Sequence, residues 1–198
     1  RNTKGRNYED MSATTATLRE GQVILKGRIG YPKLWEAEAV KNDPSAKPRF
    51  GCQVYLPKSD EATFAKVQKA VSKLIKEKLD GVKPKPKDMC IKDGDGEDGD
   101  ENTKGFWIIS ANRQEKQGRP TVIDRNRAPL AAGDGKPYAG CWCNVLVSFY
   151  VPKGWKKITA SLEIVQFWAD DEPYGAPRPS VDVMPDMGDD EDADDLGI

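Results

Sequence analysis

A mainly β chain, folded as a small and strongly curved barrel with one amphipathic helix and disordered ends, is predicted by three observations. Six segments alternate apolar and polar residues or are rich in β-branched and aromatic residues, one segment repeats at helical spacing, and the joints are rich in Gly and Pro. Single helices among many strands do not build a parallel α/β sheet, which needs a helix in each crossover. Of the 198 residues, about 150 read as foldable, enough for one domain with one core. The organisation expected is an arm over residues 1–20, a domain over 21–178 and a disordered acidic tail over 179–198.

The arm is polar and unpatterned. The chain opens on Arg1 while Met11-Ser12 is a more ordinary start, which leaves residues 1–10 as vector sequence or a native leader. From Gly21 the first strand sets Val23, Leu25 and Ile29 on one face against Ile24, Lys26 and Arg28 on the other. Residues 41–48 are a loop by composition. The second strand places Phe50, Cys52, Val54 and Leu56 opposite Arg49, Gln53 and Tyr55, and Pro57 closes it.

Ser59 is the expected N-cap of the helix, followed by acids in the first turn. Phe64, Val67, Val71, Leu74, Ile75 and Leu79 recur on one face and Gly81 supplies the stop. Lys66, Lys69, Lys73 and Lys76 line the opposite face, which reads first as solvated surface. Lys83-Pro84-Lys85-Pro86-Lys87 is a stiff basic connector. The run Asp93–Glu101 fails as a calcium loop, because position six is Asp98 rather than Gly and position twelve is Lys104 rather than Glu. It reads as a solvated acidic loop. Four further strands are expected, at Phe106–Ala111, Thr121–Asp124, Cys141–Val151 and Lys157–Trp168.

Composition narrows the chemistry. The chain has no histidine, which removes the commonest general base and the usual partner of a nucleophilic Ser or Cys, so a non-enzymatic protein is expected. Cys52, Cys90, Cys141 and Cys143 contain no C-x-x-C pair and read as buried free thiols, with no metal site and no cofactor expected. No apolar run is long enough to span a bilayer, and the first residues lack a signal-peptide core, which points to the cytoplasm.

Charge is unevenly distributed. The last 20 residues carry eight carboxylates and no Lys or Arg; the remaining 178 stand at +7. A tethered anion on a cationic body can hold that surface until a stronger polyanion displaces it. The strand after Gly140 shows which residues such a surface would use. Cys141, Cys143, Val145, Val147 and Phe149 share the inward parity, leaving Trp142, Asn144, Leu146, Ser148 and Tyr150 outward. If this strand adjoins the first two, Lys26, Arg28, Arg49, Gln53 and Tyr55 join Trp142 and Tyr150 on one face. Cations for phosphates and rings for unpaired bases are what single-stranded nucleic acid requires. Turn and loop positions add Tyr31, Lys33 and Trp35 after the first strand and Arg125 and Arg127 in Asp124-Arg125-Asn126-Arg127. Trp107 is a further candidate, although both parities of its strand are apolar.

Several short motifs occur in a particular order: Leu34-Trp35, Val54-Tyr55-Leu56-Pro57-Lys58, Ile91-Lys92-Asp93-Gly94, Val122-Ile123-Asp124-Arg125, Tyr138-Ala139-Gly140-Cys141-Trp142, Ser148-Phe149-Tyr150, and Gln166-Phe167 before Pro173-Tyr174-Gly175. In this the chain resembles a family of phage-encoded single-stranded DNA-binding proteins. The resemblance implies an OB-fold body that protects single-stranded DNA during phage replication or recombination in the infected host cell. It also implies an acidic tail that engages replication or recombination proteins, with Asp189, Asp190, Glu191, Asp192, Asp194, Asp195, Leu196 and Ile198 as the partner-binding positions. The helix departs from the OB pattern by following the second strand rather than the third: either Trp35–Val40 is itself a strand or the helix is an insertion. Single-stranded DNA is the expected ligand, with RNA open. The competing readings are a protein-interaction module with a nucleic-acid-mimicking tail, and a metal-dependent phosphodiester-cleaving enzyme using Asp93, Asp95, Glu97 and Asp98.

Overall fold

The computed structural model describes residues 16–39, 45–175 and 183–185. Most of the expected N-terminal arm and nearly all of the acidic tail lie outside the described residues. Seven strands form one sheet in the order β3-β4-β2-β1-β6-β7-β5, and an additional pairing of β4 with β7 closes five of them into a barrel. The strands are β1 (Gln22–Glu38), β2 (Arg49–Pro57), β3 (Ile91–Asp93), β4 (Phe106–Gln114), β5 (Thr121–Ile123), β6 (Trp142–Tyr150) and β7 (Thr159–Ala169), with α1 (Glu61–Lys78) between β2 and β3.

β1 makes closure possible. Its first half, from Gln22 to Arg28, pairs antiparallel with β6, and its second half, from Arg28 onward, pairs antiparallel with β2. Between Gly30 and Lys33 the register shifts, and Tyr31 stands at φ 47°. An irregularity of this kind bends a strand sharply and lets it serve two walls of a small barrel. Closure is made by parallel pairing of Ala111 with Ala160 and Asn112 with Ser161. β3 and β5 are short additions on β4 and β7.

The inward parity expected for β1, β2 and β6 is observed: Leu25, Ile29, Val54, Leu56, Val145 and Val147 are fully buried. β4 and β7 complete the barrel interior with Ile109, Ala111, Ala160, Leu162 and Val165. The strand ends differ from expectation by one to three residues except on β1, where Trp35 to Glu38 continue the strand. The helix is therefore an insertion between the second and third barrel strands rather than the sequel to an extra one. β3 was not expected; three residues carry too little alternation to signal a strand.

The cap of α1 is Asp60, whose side chain accepts from the Thr63 backbone N–H at 3.1 Å, rather than Ser59. Gly81 ends the helix at φ 78°, its N–H donating to the Ile75 carbonyl at 2.9 Å. Val67 and Val71 are buried against the barrel, and Phe64 lies flat on Trp107. Among the described residues no helix is long and apolar enough to cross a membrane.

Candidate nucleic-acid interface

β2, β1 and β6 adjoin, so the outward residues of the three strands share one face. Arg28 is paired on one side with Tyr55 and on the other with Trp142, and Lys26 is paired with Asn144. Two regions can be distinguished on this face.

The first is a groove of ≈ 390 Å³ where β1 turns into β2, lined by Tyr31, Lys33, Arg49, Gln53, Ser110 and Asn112 among others. Tyr31 is 67% exposed. It adopts a positive φ of 47°, rare for a bulky residue. Lys33 is ion-paired with Glu38 at 2.6 Å, while Arg49 is exposed at the start of β2. A Cβ on Gly30 would overlap the Tyr55 ring, and one on Gly51 would lie 2.7 Å from the Asn112 side-chain oxygen. Gly30 thus makes room for the Tyr55 ring, and Gly51, which lines the groove, for the Asn112 side chain. Tyr55 is only 3% exposed, with its hydroxyl donating to Gln53 at 3.0 Å; burial raises its pKa. It is enclosed by Gly30 and Tyr174 rather than offering a free stacking surface.

The second region is a row of rings and cations crossed by the segment that follows β7. Trp142 and Trp168 meet edge to face at 6.4 Å, and the Lys26 ammonium sits 3.4 Å above the Trp168 ring. Residues 170–175 run over this row as an acidic strap. Asp171 accepts from the Trp142 indole N–H at 2.7 Å and lies 3.5 Å from the Arg28 guanidinium. Arg28 also donates to the carbonyls of Gly140 (2.7 Å) and Glu172 (2.6 Å) and lies over the Tyr174 ring at 4.4 Å. Tyr174 in turn packs on Tyr55 with ring centroids 5.7 Å apart, and its buried hydroxyl has no hydrogen-bond partner among the described residues.

The strap is seated by its neighbours. Gly140 has φ +105°, and a Cβ there would lie 2.5 Å from the Glu172 carbonyl oxygen. The Tyr138 hydroxyl donates to Asp170 at 2.9 Å and accepts from the Asp171 N–H at 3.1 Å. Hydrogen bonds from Tyr138 and Lys136 hold the Asp170 carboxyl below the ordinary carboxylate range. The Glu172 N–H, the Trp142 indole and the nearby Arg28 charge do the same for Asp171. The cations and indole N–H that a strand of phosphates would seek are thus already met, in part, by two aspartates of the same chain.

The remaining candidates are scattered. Trp35 is half-buried against the core with Arg119 5.4 Å from its ring. Trp107 is stacked on Phe64 (4.3 Å, 2° between planes) and has Lys58 4.7 Å from its ring centroid, so it fastens α1 to the barrel. Arg125 and Arg127 are exposed in the turn after β5, whose Asp124 and Arg125 carbonyls accept from Gln166. Tyr150, 40% exposed, stands at the far end of β6, where partial burial raises its pKa. The eight tail positions lie outside the described residues.

Trp168, Asp171 and Tyr174 lie among the candidate residues of this face, although sequence reasoning did not select them. Trp168 was legible as an outward aromatic at the end of a strand. The strap's local signals were the acids Asp170-Asp171-Glu172 and the motif Pro173-Tyr174-Gly175, neither of which showed that the segment crosses the sheet face. In the acidic loop, Asp93 and Asp95 are both bound by Lys58, Asp98 is bound by Lys92, and the buried Thr103 hydroxyl ties Gly94 to Asp100. Cys52, Cys141 and Cys143 are buried free thiols and Cys90 is half-buried; burial pushes the Cys52 and Cys90 thiols up to about 12.

Comparison with known proteins places this architecture. The chain is 30% identical over 171 residues to putative protein p50 of Acyrthosiphon pisum secondary endosymbiont phage 1, covering 81% of this chain and 90% of that one. Its fold matches the single-stranded DNA-binding protein from bacteriophage Enc34 in complex with single-stranded DNA, with TM-score 0.68 and 24% identity over 81% of this chain and 97% of that one. The same phage protein in a second structure gives TM-score 0.65 at 24% identity, over 84% and 95% of the two chains. The family described as the Enterobacter phage Enc34 single-stranded DNA-binding protein matches residues 21–196, and it is to this family that the chain belongs.

Proposed function

We propose that this protein is a non-enzymatic, sequence-tolerant binder of single-stranded DNA. It coats and protects DNA exposed during phage replication or recombination in the host cytoplasm. The observation that carries the reading is the juxtaposition on one barrel face of a groove bearing Tyr31, Lys33 and Arg49 with a row of Lys26, Arg28, Trp142 and Trp168. Phosphates are met by the cations, while exposed bases stack on rings for about 1–3 kcal/mol each, with little regard to sequence. A duplex hides its base faces, and the face has no helix positioned to enter a major groove.

In this reading Tyr31 and the Trp142/Trp168 pair are the stacking positions. Tyr55 and Tyr174 support them from beneath. The acidic tail competes with DNA for the cationic body and, when DNA displaces it, becomes free to recruit replication or recombination proteins. Fluorescence anisotropy with labelled single-stranded DNA, duplex and RNA of equal length, across a salt series, tests the function. Preference for single strands with affinity falling steeply with salt is expected. Equal affinity for duplex, or no salt dependence, would overturn it and favour a protein-interaction module.

A further inference from the structure

Two oppositely charged poles lie at the two ends of α1, and the function above uses neither. Asp93 pairs with Trp107, which stacks on Phe64 in the first turn of the helix, so the acidic loop that begins at Asp93 sits at the helix's start. At its other end is a cleft of ≈ 910 Å³ between the connector that follows α1 and the turn joining β6 to β7. One bank carries Lys78, Lys83, Lys85 and Lys87; the other carries Lys153, Lys156 and Lys157, and of the lining residues only Asp80 and Asp88 oppose them. Leu79, Val82 and Trp155 add apolar lining, with Val82 67% and Trp155 64% exposed. The 18 residues of α1 set the poles about 27 Å apart.

Neither pole is neutralised from within. Among the described residues, none of the seven cleft lysines takes part in an ion pair. The loop from Asp93 to Glu101 holds six carboxylates. Lys58, Lys92 and Lys104 bind four of them, and Glu97 and Asp100 have no ion pair among the described residues. A helix dipole presents about half a charge at each end, which complements one residue and falls far short of seven lysines. The loop is also firmly built. The buried Thr103 hydroxyl donates towards the Gly94 and Asp100 carbonyls at 3.1 Å and accepts from the Asp100 N–H at 2.7 Å, and a Cβ on Gly94 or Gly99 would overlap backbone. Glu97, Asp98, Asp100 and Glu101 are exposed on it.

We propose that the acidic loop of one copy docks in the lysine cleft of a second copy, so that the protein assembles head to tail. Charge complementarity names the occupant: seven lysines around one hollow repel each other unless an anion enters it, and the exposed carboxylates of the loop supply that anion. A loop already held in shape gives up little freedom on docking. The two surfaces differ and lie at opposite ends of the molecule, so the contact is heterologous. Each copy that docks leaves one cleft and one loop free at the ends, and the assembly grows as a line rather than closing as a symmetric dimer.

The line has a direction on the sheet. β6 spans the same two poles: Trp142 shares a hollow with Ser59 and Asp60 just before α1, while Val151, next to Tyr150, lines the lysine cleft. Copies joined loop to cleft therefore set their β6 strands in succession, the Tyr150 end of one beside the Trp142 end of the next. A single strand of DNA following these faces is held by several copies, and each bound copy raises the effective concentration of its neighbour on that strand. This use in coating DNA rests on the binding reading above; the contact between copies does not.

The test begins with the full chain in the absence of DNA. Sedimentation velocity at low salt over a concentration series should show species beyond the dimer, and their association should weaken several-fold as salt is raised. The charge reversals E97K/D98K in the loop and K153E/K156E in the cleft should each leave monomers, with circular dichroism and melting as the folding control. Mixed in equal amounts, the two variants should form dimers and nothing larger, because only the cleft of the first and the loop of the second remain able to meet. Zero-length carbodiimide links from Glu97 or Asp98 to Lys153 or Lys156 should form in the native protein; the poles of one copy are too far apart for such a link. With DNA, both variants should bind a short oligothymidylate as the native protein does and lose cooperative binding to a long one. Native protein that stays monomeric at every concentration would overturn the proposal. So would E97K/D98K assembling like the native protein, and cleft links running to residues 189–195 would then make the tail the occupant. Loss of DNA binding at both lengths while the mixture still dimerises would refute the binding reading and leave the assembly standing.

Discussion

Replacing Asp171 by Asn removes the negative charge placed between Arg28 and Trp142 and keeps a side-chain oxygen able to accept from the indole N–H at 2.7 Å. The Arg28 and Asp171 side chains are 17% and 38% exposed and 3.5 Å apart, so the pair belongs with partly solvated surface ion pairs, worth about 0.2–1 kcal/mol. A phosphate approaching Arg28 in the native protein must displace this interaction and meet the carboxylate as well. Asp171→Asn should therefore tighten single-stranded DNA binding by about 1.5- to 5-fold, the affinity equivalent of that range. Releasing one cation for phosphate contact should also steepen the slope of log K against log salt by about 0.7. Between 50 and 200 mM salt such a change in slope erodes the gain by about 2.6-fold, so the advantage should be plain at the lower salt and small at the higher. Anisotropy titrations of a labelled oligothymidylate at four salt concentrations, with a thermal melt as control, measure both quantities. An unchanged slope with unchanged affinity would show that the strap does not screen Arg28. Weaker binding by a normally melting variant would show that Asp171 helps hold the interface in its binding form.

Trp142→Ala should weaken binding by about 1–3 kcal/mol if the ring stacks on a base; a variant that melts early but whose folded fraction binds normally would mark the ring as packing. Trp107→Ala should do the reverse, costing about 1–3 kcal/mol of stability through loss of partial burial and of the Phe64 stack while the folded fraction binds normally; calorimetry beside anisotropy separates the two, and weakened binding at unchanged stability would contradict the assignment. Gly140→Ala, which places a Cβ 2.5 Å from the Glu172 carbonyl oxygen, should dislodge the strap and increase the solvent exposure of Trp142, read by acrylamide quenching of the tryptophans against native protein; unchanged quenching would mean that the strap tolerates the methyl group. Acid should act similarly. Asp170 and Asp171 have lowered folded pKa values, so their stabilisation is present above the unfolded carboxylate value of about 3.9 and is lost as pH falls through the depressed folded values. Tryptophan emission should hold steady down to that value and shift below it, and a transition centred near pH 6 would refute the assignment.

The sequence alone determined the local features. Alternation at period two is set within each strand by which side chains are apolar, so the faces of β1, β2 and β6 and the helical stripe from Phe64 to Leu79 were legible without knowing what they pack against. The family resemblance added the OB-type body. Long-range geometry decided the rest. Trp107 and Trp142 look alike in sequence as aromatics on strands; only the docking of α1 covers Trp107 with Phe64, while Trp142 takes its place beside Trp168 under the strap. Tyr55 has the outward parity expected of a stacking ring, yet Gly30 and Tyr174 enclose it. Asp171 meets Arg28 across 143 positions, and the lysines of residues 78–87 meet those of residues 153–157 only because the barrel brings the end of α1 beside the β6–β7 turn. No periodicity encodes such contacts, since the free energy that fixes them comes from burial and closure of the whole barrel rather than from the neighbours of either residue in the chain.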